Sequence, residues 1–408
     1  MIEWNETHQQ IRTMFRRFVE TEIVPKREEL EFGDLPPYGI LRKMLQTFGA
    51  DEMAKAQFQA DIEREKAGRA PKEKKERSEF SQGAADASAM RLIPIIELSR
   101  HSPGMITAMG VSVGLTAGAI MKKGSLAQKE KFVPPLLTLE KVGAWAITEP
   151  DSGSDAFGSM KSTARIEGED FILNGSKTFI TNGPYADTIV FICKLDEGNA
   201  PETRKIVTFI LDGDTPGLVR SKPLRKMGLH ASPTGELFLD NVRVPKDRLL
   251  GEGQEQGSRK DAKDTFTAER TAVAGMALGL IDRCMELCVD YAKTRVQFGK
   301  AIGEFQLIQL KLAKMEVARM NIQNLVFRQI ELAGWGRSMD LAEASACKLY
   351  CAQSAMEVCL EAVQLFGGNG YMAEYKVEQL CRDAKVLQIY GGTDEIQISQ
   401  IARTLLSR

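Results

Sequence analysis

The hydrophobic rhythm of this chain changes twice, and the two changes constrain the fold more than anything else in it. Up to about residue 143 apolar side chains recur at three- and four-residue steps. Ile11, Met14, Phe15, Phe18, Val19 and Ile23 form one such stripe, as an amphipathic helix requires. From 144 to about 254 the apolar runs are short, alternating or β-branched: TARIEG, DFILNG, ADTIVFICKL, KIVTFIL and ELFLDNVRV. Turn formers such as EGED and DGDTPG separate them. From about 255 long helical stripes return, first Val273, Met276, Leu280, Cys284, Leu287 and Tyr291, then Ile308, Leu312, Met315, Ile322 and Val326. Long helices with short connections predict an antiparallel bundle. The pattern therefore predicts an α+β chain: an N-terminal helical domain (1–143), a middle antiparallel β domain (144–254) and a C-terminal helical bundle (255–408).

Composition narrows the function. With 54 basic and 55 acidic residues in 408, the chain has no net field to attract nucleic acid. The seven cysteines form no CxxC, and the histidines are only three (His8, His101, His230), so no metal site is expected. Free thiols packed as small hydrophobes suit a reducing compartment. The N-terminal MIEWNETHQQIRTMF lacks the apolar core of a signal peptide, and no run of about 18 apolar residues is apparent, so no membrane span is expected. The small apolar stretch 105–121 suits a tightly packed buried helix. The charged stretch 51–79 reads as a solvated helix and a mobile surface segment, or as a docking surface.

Two strand ends look chemically competent. Ala144–Ile147 runs into the polar loop TEPDSGSD (148–155), and Phe179–Ile180 runs into Thr181 and Asn182 within NGSKTFITNG (174–183). Hydroxyls and turn N–H groups at the end of a buried strand can hold a flat, polar ligand, although each is equally a strand closing in a turn. No GxGxxG joins a strand to a helix, so a Rossmann site is not indicated. The glycines of QLFGGNGY (364–371) follow a helical pattern and read as a helix C-cap or as a backbone left bare for a ligand.

These strings, with KMGLHASPT (226–234), AER (268–270), RVQFGKAIGEFQ (295–306) and RDAKVLQIYGGTDEIQ (382–397), make the chain resemble the acyl-CoA dehydrogenase family in order and spacing over most of its length. The resemblance implies FAD as cofactor, an acyl-CoA substrate, an electron-transfer flavoprotein as acceptor, and a homotetramer, or at least a dimer. It also implies a cytoplasmic chain, or one of the mitochondrial matrix if it is a processed eukaryotic protein. It further implies that Trp145, Ile147, Thr148, Phe179 and Thr181 wrap the flavin ring, Phe179 standing where relatives often carry Trp. Gly153 belongs to the same cofactor loop. Ser154 touches the cofactor or the pantetheine and thioester region. Arg295, Gln297, Phe298 and Gln306 face the pyrophosphate and adenine, with Gln364, Gly367 and Gly368 supplied by a second subunit. Thr393 and Glu395 make further FAD contacts, and Arg270, Tyr390 and Gly392 line the substrate.

The reaction so implied removes a proton next to a thioester carbonyl and needs a desolvated carboxylate. Many relatives place that Glu directly after the Tyr of IYxGT, where this chain has Gly391. The isovaleryl- and long-chain-type subset carries it before an Arg at the head of the first long C-terminal helix, matched here by Glu269–Arg270. Glu269 lies four residues before Val273, in line with the apolar stripe, where burial would raise its pKa while the helix dipole lowers it. It is also readable as an ordinary first-turn acid. Gly391 would then leave room for the carboxylate and offer its N–H to the thioester carbonyl. His230 stands where relatives carry Arg, as a packed or surface residue or as a substrate contact. An oxygen-using oxidase or monooxygenase of the same fold, or a catalytically silent acyl-CoA or flavin binder, remain rival readings.

Overall fold

The computed structural model describes residues 3–69, 76–251 and 257–407, side chains of 257–269 excepted. The N-terminal part is helical: α1 (Glu6–Phe18), α2 (Arg27–Phe32), α3 (Tyr38–Thr47), α4 (Ala50–Lys66), α5 (Gln82–Ser99), α6 (Pro103–Met109), α7 (Ala117–Lys123) and α8 (Leu126–Leu137). Asn5 caps α1 and Ser125 caps α8, each through a reciprocal capping box. Of the first stripe, Phe15, Phe18, Val19 and Ile23 are buried, whereas Met14 points to solvent. The π-helical turn Val19–Ile23 shifts the phase of the stripe, so a single 3.6-residue period does not describe it.

In the charged stretch 51–79, α4 buries only Phe58 and Ile62, and residues 70–75 lie outside the described residues. The stretch Pro103–Lys123 corrects one expectation. By length and hydropathy it does qualify as a helix able to cross a membrane. Here it is broken by a π-helical segment, Gly110–Thr116, and packs on the sheet. Ser112 Oγ accepts from Gly143 N at 2.9 Å, and the carbonyl of Ala108 accepts from Asn182 Nδ2 at 2.9 Å.

The middle part holds β1 (Gly143–Ala146), β2 (Thr163–Glu167), β3 (Asp170–Thr181), β4 (Thr188–Asp196), β5 (Ile206–Asp212), β6 (Leu218–Arg220) and β7 (Thr234–Pro245). The sheet is mixed, not wholly antiparallel: β4 pairs in parallel with both β1 and β2, and antiparallel with β5. β5 runs along one edge of β4, so β1 and β2 share the other, end to end. β1 stops at Ala146 opposite Phe191, and β2 starts at Thr163 opposite Lys194. Residues 147–162 are therefore a loop that leaves one sheet edge and returns to it. β3 is bulged twice against β7, at Leu173/Gly175 and at Lys177/Ile180. The alternation seals Phe171, Leu173, Phe191, Phe209 and Leu237 into one core.

The C-terminal part comprises α9 (Gly257–Thr294), the small hairpin β8–β9 (Val296–Gln297, Lys300–Ala301), α10 (Gln306–Gly334), α11 (Leu341–Phe366), α12 (Val377–Lys385) and α13 (Asp394–Leu406). The α9 stripe buries Val273, Met276, Leu280 and Cys284, and α10 buries Met315, Ile322 and Val326. Both share one core with α5. Cys284 and Cys359 face each other there, sulfurs 3.6 Å apart, as free thiols. Among the described residues no group of His, Cys, Asp and Glu is placed to hold a metal ion.

Candidate active site

The two strand ends singled out in the sequence meet. Thr178 N donates to Thr148 O at 2.9 Å, which sets the end of β1 beside the second bulge of β3. Beneath them lies a buried ion pair that the sequence reading passed over, although both residues stand inside the quoted motifs. Lys177, fully buried, donates to Glu149 Oε1 at 2.8 Å and to Ile147 O at 3.0 Å. Glu149 in turn accepts from Lys161 N at 2.6 Å and Ser162 N at 3.0 Å, which pins the far end of the 147–162 loop. These donors hold the Glu149 carboxyl below its usual range against the opposing effect of burial. The signal available beforehand was a lysine amid β-branched and aromatic neighbours in a strand.

The bulge sets what the site displays. Phe179 adopts φ 55° and stands 68% exposed, while its neighbours Thr178 and Ile180 are buried. A bulky residue in the left-handed region with an uncovered ring is strained, and such strain recurs at ligand sites. Trp145 and Thr148 are half-buried, Ile147 is buried, and Gly153 and Ser154 are exposed on the loop above. Asn182, wholly buried, bonds Tyr38 Oη, Ala108 O and Gly143 O, and so fixes Thr181 and the strand end to the N-terminal helices.

A second constellation gathers on the bundle. Arg270, buried on α9, donates to Ser345 Oγ at 3.0 Å and reaches Gly391 O at 3.5 Å. Gly391 (φ 63°) and Gly392 (φ 90°) are both left-handed, and a Cβ at Gly392 would lie 3.5 Å from Arg270 Nη2 and 2.8 Å from Gln397 Nε2. This tight turn brings together the two positions at which the sequence sought a base, 269–270 and 391. Glu269 is on α9, but α9 already begins at Gly257, so Glu269 lies about three turns inside the helix and not at its head, beyond the reach of the helix dipole; its side chain lies outside the described residues. Tyr390 is half-buried, its hydroxyl 3.2 Å from Met276 Sδ. Thr393 caps α13 through its hydroxyl, which accepts from Ile396 N. Glu395, exposed in the first turn, is held below the usual carboxylate range by its own backbone N–H and then by Thr393.

The third group is exposed. Phe298 and Gly299, both at positive φ, make the tip of the β8–β9 hairpin, and Phe298 is 94% exposed. Arg295 falls one turn beyond Tyr291, but it does not continue the buried α9 stripe. α9 ends at Thr294, and Arg295, Gln297 and Gln306 all face outward. Gln364 is likewise exposed at the end of α11. A Cβ at Gly367 or Gly368 would meet nothing within 4 Å, whereas one at Gly370 would strike Val363 O at 2.3 Å. His230 lies half-buried, Nε2 2.8 Å from Lys226 O and Nδ1 3.4 Å from Glu31, which raises its pKa. Its loop is fastened to α12, because Leu229 N donates to the buried Asp383 at 2.6 Å.

The described residues thus form a helical domain, a mixed sheet with displayed strand ends and a helical bundle. Three family profiles match in order: acyl-CoA dehydrogenase N-terminal domain (78–140), middle domain (144–242) and C-terminal domain (259–406). A 3-(aryl)acrylate reductase of Clostridium sporogenes is 36% identical over 99% of both chains. The butyryl-CoA dehydrogenase of Megasphaera elsdenii superposes with TM-score 0.81 at 32% identity over 100% of both chains. A chain from work on the electron transferring flavoprotein of Acidaminococcus fermentans gives the same values. An acyl-CoA dehydrogenase of Bacillus anthracis complexed with FAD gives TM-score 0.80 at 28% identity, over 99% of this chain and 68% of that one. The chain belongs to the acyl-CoA dehydrogenase family of flavin-dependent oxidoreductases.

The residues present fit FAD. Phe179 offers an uncovered aromatic face beside Thr148 and Thr181, exposed Arg295 and Gln297 offer donors suited to phosphate, and Gly367–Gly368 offers bare backbone.

Proposed function

We propose that this chain binds FAD and dehydrogenates an acyl-CoA thioester between its α and β carbons, giving the trans-2-enoyl-CoA. In this reading the Glu269 carboxylate takes the α proton, and the electron pair left behind forms the double bond as hydride departs from the β carbon. FAD, when bound, supplies the acceptor for that hydride. The Gly391 N–H polarises the thioester carbonyl, with Tyr390, Gly392 and Ser154 along the acyl and pantetheine path. Arg270, anchored on Ser345, fixes the glycine turn against α9. One observation carries the assignment: Arg270 bridges α9 to Gly391, so the residue before it and the glycine turn stand at the same level of the bundle. Trp145, Ile147, Thr148, Gly153, Phe179 and Thr181 hold the ring. Arg295, Gln297, Phe298, Gln306, Gln364, Gly367, Gly368, Thr393 and Glu395 hold the rest of FAD across a subunit boundary. The uncovered Phe298 supports at least a dimer, and we infer a homotetramer. Electrons pass to an electron-transfer flavoprotein, and the bacterial relatives support a cytoplasmic location. We take 1–143, 144–254 and 255–408 as the domains.

The Clostridium sporogenes reductase favours a second reading, the same site run toward reduction of an unsaturated acyl group. The test is anaerobic titration of the holoenzyme with straight, branched and aromatic acyl-CoAs, following the visible flavin absorbance. Wild type should bleach, and Glu269→Gln should bind without bleaching. Equal bleaching in the variant refutes the base assignment. Loss of bleaching in wild type, with reoxidation of the reduced enzyme by an enoyl-CoA, selects the reductive reading. Rapid reoxidation by air selects an oxidase.

A further inference from the structure

We propose that the cleft between α2, the C-terminal end of α5, α9 and the first turn of α12 is a small-anion site, separate from the candidate active site. Arg27, Arg100, Arg283 and Lys376 line it together with His101 and Gln379. The cations come from four different elements, so their convergence is a product of tertiary packing.

Their compensation is incomplete. Glu286 serves both Arg100, at 2.7 Å, and Arg283. Glu97 approaches Arg100 only at 3.6 Å and is already held by Arg12 and Arg16 at 2.6 and 2.7 Å. Glu31, at the adjoining end of the cleft, faces His230 and Arg382. Arg27 spends its guanidinium on neutral acceptors, Gln379 Oε1 at 2.6 Å and Ala373 O at 3.2 Å. Among the described residues neither Arg27 nor Lys376 has a carboxylate partner. Lys376 also takes φ 69°, a left-handed conformation costly for a side-chain-bearing residue, as the N-cap of α12, where no side chain caps the helix. The positive end of that helix therefore adds to the field of the cleft.

The neighbours register this field. Burial, then Arg283, Arg100, Lys376 and Arg27, push the His101 pKa down to about 3, and burial followed by Arg283 and Arg27 lowers that of Lys376. With Glu286 shared between Arg100 and Arg283, and no carboxylate on Arg27 or Lys376 among the described residues, the rim keeps an excess of positive charge in a partly desolvated space, and an anion there relieves the repulsion. The space admits one water-sized species, which suits a halide ion or one oxygen of phosphate or sulfate.

The experiment is thermal unfolding of the FAD-loaded enzyme in graded sodium phosphate, sulfate or chloride, at ionic strength fixed with a bulky sulfonate. Wild type should gain Tm saturably with at least one small anion. Arg27→Gln should lose the saturable part. Lys376→Gly should lose it too, while melting no lower than wild type in anion-poor buffer, because it removes a repelling charge and suits the left-handed backbone. Added anion should also raise the His101 pKa, read from its ring proton resonance. An identical rise in Tm in wild type and both variants, or an unmoved His101 titration, overturns the proposal. So does the absence of an anomalous peak beside Arg27 and Lys376 in bromide-soaked crystals, when no oxyanion gives a saturable gain.

Discussion

Replacing Lys177 by Met tests whether the buried pair under the two strand ends governs the site. The substitution leaves Glu149, 4% exposed, with two backbone N–H donors but no counter-charge, and leaves Ile147 O without its 3.0 Å donor. Breaking one side of a buried ion pair costs about 3–5 kcal/mol, and an orphaned buried carbonyl adds about 1–3 kcal/mol. Because Glu149 keeps its two N–H bonds, the expected loss lies near the low end, about 4 kcal/mol in total. Glu149→Gln alone should cost about 3 kcal/mol through the stranded ammonium. The double variant should cost less than the sum of the singles by at least about 2 kcal/mol, since neither charge is then left alone. Urea unfolding of all four proteins, followed by fluorescence of the adjacent Trp145, gives the cycle, and gel filtration gives the FAD retained. A Lys177→Met protein within about 1 kcal/mol of wild type, or strictly additive singles, would refute the reasoning.

Further outcomes follow from the same geometry. His101 is held neutral with a pKa near 3 in the fold, whereas the unfolded chain takes up a proton near the ordinary value of about 6.5. Its contribution to stability is therefore present above about pH 6.5 and is lost as pH falls toward about 3, and His101→Gln should flatten the Tm-against-pH curve in that window. Gly368→Ala meets no atom, so apoprotein stability should stay within about 0.5 kcal/mol of wild type while FAD affinity falls; unchanged FAD binding on titration counts against a cofactor role for this backbone. Asn182→Ala strands Tyr38 Oη and the carbonyls of Ala108 and Gly143, and should cost about 3 kcal/mol in urea unfolding.

The elements that repeat a simple period were legible in the chain: the α9 and α10 stripes and the alternation of β7, while β4, buried on both faces, stands out as a continuous apolar run. What escaped depends on partners distant in sequence. Strand periodicity says which face is buried but not which neighbour is chosen, so the parallel pairing of β4 with β1 and β2 could not be read from it. Lys177 and Glu149 are separated by a turn, a strand and a loop, and nothing local marks them as a pair. The helical period extended one step past Tyr291 would bury Arg295, but α9 ends at Thr294 and the side chain faces outward. Among site residues, the motif-borne strand ends do meet, through Thr178 N and Thr148 O. The bulge that turns Phe179 outward left no trace in the alternation pattern.

The way β1 and β2 lie end to end along β4 has a wider implication. Segment 147–162 is clamped at both feet to neighbouring rungs of one ladder, like the handle of a cup, so its middle can be rewritten, shortened or exchanged while the sheet keeps its register. Such a handle can be recombined as a unit without refolding the vessel.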